Sequence, residues 1–196
     1  MKISSSTLGF LTLLAACCVN GQGTFIYDQQ SSTDETSSPP GLLQIPTTPG
    51  YGDGESFTPT LSSVGFLRLM VAPIGSNQGG LIYCHLRSGS IYGRIIGTTA
   101  SVQLADTFSG PLNLEFASPV TLTPGTTYYF EPVVDHSWSM GIGQYNYSGG
   151  SGFLAGTPEA WTLWFREGII VPEPSSVALL VVVGGGVWVT RRRIRP

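Results

Sequence analysis

The sequence predicts an all-β fold, an antiparallel β-sandwich, and three observations carry that expectation. Apolar and polar residues alternate at period two in several short runs, the pattern of half-buried strands. Turn-forming clusters separate the runs, drawing on 26 glycines and 14 prolines among 196 residues. Between the two ends of the chain there is no long amphipathic pattern at the 3.6-residue helical period, which leaves a sandwich or barrel of short strands.

The first element is an export signal. Met1-Lys2 gives a short positive end, Leu8 to Val19 an apolar core, and small residues follow, which places signal-peptidase cleavage after Gly21 and the mature start near Gln22. Leu14-Ala15-Ala16-Cys17 fits a second route, similar to the lipobox of bacterial lipoproteins, in which Cys17 is acylated. Residues 1–21 are therefore expected as a leader and 22–168 as the folded domain.

Within that domain Thr24-Phe25-Ile26-Tyr27 has strand character, and the polar, proline-bearing stretch from Asp28 to Gly54 is expected as one long loop leading to a strand at Ser56-Phe57-Thr58. Leu67, Leu69 and Val71 then alternate with Phe66, Arg68 and Met70. Ile82, Cys84 and Leu86 alternate with Tyr83, His85 and Arg87, which turns the Cys84 thiol toward the core as an inert group. Three further runs follow the same rule: Leu112, Leu114 and Phe116; Tyr128, Phe130 and Val134; Trp161, Leu163 and Phe165. Ser109-Gly110-Pro111 and Thr123-Pro124-Gly125-Thr126 are turns between them. About 145 residues suffice for a core without disulfides, and no repeat of 20 to 50 residues is visible, so one domain is expected.

The last 26 residues have three distinct parts. Val171-Pro172-Glu173-Pro174-Ser175 is a stiff, extended motif, because proline fixes φ and biases its neighbour toward extended backbone. An uncharged stretch, 176–190, is expected as a single transmembrane helix. It falls somewhat short of the roughly 20 residues that span a bilayer, and Gly184-Gly185-Gly186 weakens it. Arg191, Arg192 and Arg193 then form a stop-transfer cluster within the basic tail 191–196. This tripartite tail, 169–196, resembles the PEP-CTERM sorting signal, whose processing enzymes are the membrane proteases called exosortases. The resemblance implies an inner-membrane-tethered precursor, cleavage at or near Pro172-Glu173-Pro174, and release to the cell surface or extracellular matrix. That route is associated with exopolysaccharide and biofilm. Gly54-Glu55-Ser56-Phe57-Thr58-Pro59, Leu122-Thr123-Pro124-Gly125-Thr126-Thr127-Tyr128 and Leu163-Trp164-Phe165-Arg166-Glu167-Gly168 are similar to segments of the jelly-roll modules that precede such tails, and imply that sandwich type here.

Charge narrows the partners. Outside the leader and basic tail lie only Arg68, Arg87, Arg94 and Arg166, against twelve acidic residues, so the exported part carries a net charge of −8. Nucleic acid and anionic lipid need basic patches and are excluded as partners; neutral polysaccharide, or acidic polymer bridged by a divalent ion, is compatible.

Catalytic patterns are missing. The sequence has no Gly-x-Ser-x-Gly elbow and no His-Glu-x-x-His. Asp53, Glu55, Asp106, Glu115, Glu131 and Asp135 are too scattered to nominate an acid/base pair, His85 reads as a solvated strand residue, and Asp135-His136 as loop neighbours. No cofactor is expected. Asp34-Glu35 and Asp53-Gly54-Glu55 offer oxygens suited to structural calcium without matching an EF-hand loop. The candidate ligand-contact residues are Trp138, Tyr145 and Tyr147, in the aromatic, glycine-rich stretch 136–150. Aromatic faces stack on sugar rings there, and the Gln144 and Asn146 amides suit hydroxyls. The competing reading makes these three rings a cover for the core. The expected protein is thus a non-enzymatic surface or matrix component; a carbohydrate-binding module proper, or an extracellular enzyme with an unrecognised carboxylate pair, are the alternatives.

Overall fold

In a computed structural model of the chain, residues 23–75 and 79–172 are described, and the compact unit runs from Phe25 to Val171. The leader with Cys17, residues Glu173, Pro174 and Ser175 of the motif, the stretch 176–190 and Arg191, Arg192 and Arg193 lie outside the described residues. Among those described, no helix is long and apolar enough to cross a membrane.

The described residues form strands and turns and no helix. In chain order the strands are β1 (Thr24–Gln30), β2 (Gly41–Gln44), β3 (Gly54–Phe57), β4 (Ser63–Pro73), β5 (Gly80–Ser88), β6 (Arg94–Thr98) and β7 (Val102–Leu104). They continue as β8 (Gly110–Thr121), β9 (Tyr128–Val134), β10 (Trp138–Gly143), β11 (Gly152–Leu154), β12 (Thr157–Pro158), β13 (Thr162–Leu163) and β14 (Phe165–Val171). Two antiparallel sheets result. The first runs β1-β14-β4-β10-β13, with β2 added to β10 and β8 to β4. The second runs β12-β11-β3-β9-β5-β6, with β7 on β5.

Period-two patterning decides which faces meet. Leu67, Leu69 and Val71 of β4 and Leu114 of β8 come from the first sheet, Ile82, Cys84 and Leu86 of β5 and Phe130 of β9 from the second, and all join one buried cluster. Phe130 and Phe165 bring the two sheets into ring contact, with centroids 5.3 Å apart. Cys84 is fully buried, as its place in the alternation requires, and burial pushes its thiol well above its ordinary range.

The opposite face of the first sheet is covered as well, which the sequence pattern did not suggest. Residues 31–40 cross it as a strap. Ser31 Oγ donates to the Leu163 carbonyl at 2.6 Å, Trp164 Nε1 to the Asp34 carbonyl at 2.8 Å, and Arg166 Nε to the Ser32 carbonyl at 2.9 Å. Arg68 and Arg166 are direct cross-strand partners, a like-charge placement that costs stability. Glu35 of the strap answers both, one oxygen 2.6 Å from Arg68 and the other 2.7 Å from Arg166. Phe66, on the same face, is enclosed edge-on by Phe25 and Tyr27.

Three boundaries differ from expectation. The stretch from Asp28 to Gly54 contains the end of β1 and all of β2, whose Leu42 and Leu43 pair with Gly141 and Met140 of β10. Backbone pairing fixes these residues, and a four-residue edge strand leaves little alternation to read. The run around Trp161 to Phe165 is broken at Trp164, whose N–H turns to the Gly141 carbonyl. Finally β14 continues through Ile169 and Ile170 to Val171, so no spacer separates the fold from Pro172.

Candidate functional site

The aromatic stretch proposed for ligand contact is mostly committed to packing. Trp138 is 0% exposed in β10, with Nε1 donating to the Gly79 carbonyl at 3.4 Å. It is a core residue, which corrects its assignment as a contact: the strand's alternation turns it inward. Tyr147 is half-buried, its ring edge-on to Phe165 with centroids 5.1 Å apart, and its hydroxyl reaches Gln29 Oε1 at 3.5 Å. Burial, the largest influence, raises its ionisation far above the ordinary phenol range. Tyr145 is also half-buried, seated over Gly143, where a Cβ would come within 2.9 Å of the ring.

The carboxylates separate just as clearly. Glu55 pairs with Phe130 across β3 and β9 and shares its inward face, whereas Glu131, the next residue, faces outward. Glu131 is saturated: Arg87 donates through two nitrogens, at 2.6 and 3.1 Å, and the Gly50 and Gly52 amides at 2.7 and 3.4 Å. It ties the loop before β3 to the second sheet. Asp106 and Asp135 are exposed. Asp135 takes the Leu81 amide at 2.7 Å and sits 2.8 Å from His136 Nδ1, which lowers its pKa, mainly through that side-chain bond. His85 lies beside Thr98 Oγ1 at 2.9 Å, its pKa lowered chiefly by burial. Among the described residues no group of three or more His, Cys, Asp or Glu side chains could hold a metal ion.

A pocket of about 390 Å³ opens where the loop between β2 and β3 meets the end of β11. Tyr51, Pro46 and Leu154 give it an apolar wall, Gln44 and Thr48 contribute polar groups, and Asp53 supplies a carboxylate that is only 3% exposed. Tyr51 and Leu154 are 56% and 39% exposed, unusual for residues of their size.

Local chemistry builds the rim. Leu154 pairs with Thr157 around a two-residue turn whose central residues, Ala155 and Gly156, have φ of +47° and +80°. Two left-handed residues are what a type I′ hairpin requires, and glycine is the ordinary choice at such positions. Alanine at the first position carries a steric cost of roughly 1 kcal/mol. Asp53 Oδ1 holds the Ala155 amide at 2.7 Å, fixing the strained residue. Burial, followed by the nearby Glu131 charge, raises the Asp53 pKa despite that bond. Tyr92, itself 54% exposed, packs its ring over Gly52 and Gly156, where any Cβ would collide with it, and its hydroxyl donates to the Tyr51 carbonyl at 3.3 Å.

Sequence reasoning missed this site. Asp53 enters the sequence reading as a scattered carboxylate and a calcium-type oxygen donor, and the available signal for the pocket is Gly50-Tyr51-Gly52, a large aromatic between two glycines. No protein-family model matches the chain, and comparison with curated proteins finds no match.

Proposed function

We propose that this is an exported, non-enzymatic protein of the cell surface or extracellular matrix, sorted by its C-terminal signal and presenting a jelly-roll-like sandwich to polysaccharide. The reading rests on one observation above all. Val171-Pro172-Glu173-Pro174-Ser175 is followed by a marginal apolar span and then by Arg191, Arg192 and Arg193. A span of this length tethers weakly, which suits a precursor held only until an exosortase-type protease acts. The acidic domain, net −8 without leader and tail, fits a polysaccharide surrounding better than nucleic acid or anionic lipid.

The test is fractionation of the native host with mass measurement of the mature protein. Wild type should appear outside the membrane fraction, starting near Gln22 and ending near Pro172. Glu173→Ala should accumulate as a longer, membrane-retained form. Identical fractionation of the two would leave an ordinary C-terminal anchor in place of the sorting reading.

A further inference from the structure

We infer that the pocket bounded by Tyr51, Asp53 and Leu154 is a binding site for a neutral polysaccharide, holding the chain by one or two sugar rings. The inference deepens the matrix reading above and rests on it for the choice of polymer, while the site itself stands on geometry.

Three features carry it. The first is composition: an exposed tyrosine and leucine form an apolar wall facing the polar groups of Gln44 and Thr48. A sugar ring has the matching duality, with C–H faces that stack on aromatics and hydroxyls that hydrogen-bond at the rim. The second is a carboxylate placed to accept from hydroxyls. A carboxylate has about four acceptor positions, and the Ala155 amide occupies one of those on Asp53. A carboxyl group accepts from sugar hydroxyls in either protonation state. The third is preorganisation. The walls are fixed before any ligand arrives by the Glu131–Arg87 ion pair under Gly50 and Gly52, by the strained Ala155 turn and by Tyr92 packed over two glycines. A non-glycine residue held at positive φ on a pocket rim is the kind of strain that accompanies a site.

Charge selects the ligand class. Asp53 makes no ion pair, and the nearby Arg87 is already engaged by Glu131, so a uronate or sulfated sugar would set a second uncompensated anion against Asp53. Neutral hexose polymers avoid that repulsion.

The test is affinity electrophoresis of the full-length chain in a detergent without a sugar headgroup, through native gels holding hydroxyethylcellulose, galactomannan, soluble starch or alginate. The expected result is retardation in at least one neutral polymer and none in alginate. Tyr51→Ala should weaken it about tenfold, the loss of one stacking contact, and Ser118→Ala, at an exposed residue of β8 outside the pocket lining, should leave it unchanged. Thr48→Trp, which fills the pocket from an exposed position, should abolish it and decides the matter should Tyr51→Ala fail to fold. Absence of retardation in every neutral polymer, retention in alginate alone, or equal retention by Thr48→Trp would each overturn the inference. Host fractionation of Glu173→Ala is indifferent to the pocket, so loss of polymer binding with sorting intact removes this site and leaves the matrix reading standing.

Discussion

Glu167 is 0% exposed on β14, opposite Leu67, and neither of its carboxylate oxygens has a hydrogen-bond partner. Burial pushes its pKa from an ordinary 4.5 up to about 9, and the nearby Asp28 carboxylate adds to the push. Asp28 itself stays ionised. Burial opposes that state, but bonds from Thr60 and Leu61 outweigh it and hold the pKa below its usual value. Glu167 is therefore protonated in the fold at neutral pH and ionised in the unfolded chain. Its folded pKa is raised, so its contribution is complete below pH 4.5 and is lost progressively as pH rises toward 9. In that window each such group costs about 1.4 kcal/mol per pH unit. From pH 5 to 7 Glu167 alone should remove about 3 kcal/mol, or about 5–10 °C of Tm for a domain of this size. Glu167→Gln keeps the shape and removes the titration. The informative quantity is the slope of stability against pH, since the buried amide adds an offset that pH does not change. Urea midpoints at pH 5, 6 and 7 should fall more gently in the variant, the two lines diverging by about 1.4 kcal/mol per unit. Glu55, also pushed to about 9 by burial, remains in both proteins and keeps the variant's slope from vanishing. Parallel lines would refute the reasoning and place the Glu167 carboxylate in contact with water.

Trp138→Ala should lower the unfolding free energy by about 3–5 kcal/mol, read as a shift of the urea midpoint, because it empties a fully enclosed site; polymer retardation should survive wherever the variant is folded. Arg87→Met should cost about 3–5 kcal/mol by leaving Glu131 charged and unpaired inside the protein, and adding Glu131→Gln should recover a large part of that loss in the same assay.

The strands were legible where one face is wet and the other dry. Leu112, Leu114 and Phe116 in β8 alternate plainly, and β5 turns Ile82, Cys84 and Leu86 inward as its pattern requires. Legibility failed where both faces are covered. Arg166 and Trp164 look outward by parity yet are buried because the strap lies over them, its polar composition resembling solvated loop, and Phe66 is buried by Phe25 and Tyr27 of β1. Trp138 fell on the same difficulty: its run of small and aromatic residues suits a recognition loop and an interior strand equally, and only the pairing of β10 with β2 and β4 decides. The pocket was hidden for a different reason. Tyr51, Asp53 and Leu154 are brought together by the loop before β3 and the end of β11, about a hundred residues apart, and no local spacing records that.

The last strand has a mechanical meaning. β14 lies between β1 and β4 and runs without a spacer to Val171, so tension applied at the domain's C-terminus acts along a strand clamped on both sides. Ser31 bonds to the Phe165 carbonyl while Gly168 lies against the Ile26 carbonyl, which brings the start of β1 and the end of β14 to the same end of the sheet. A pull on Val171 against the body of the sandwich must shear many ladder bonds together instead of opening them one at a time. A pull between Thr24 and Val171 would peel the same pair apart like a zipper. The strand geometry therefore makes a pull on Val171 hardest to yield to when the first strand is left untensioned.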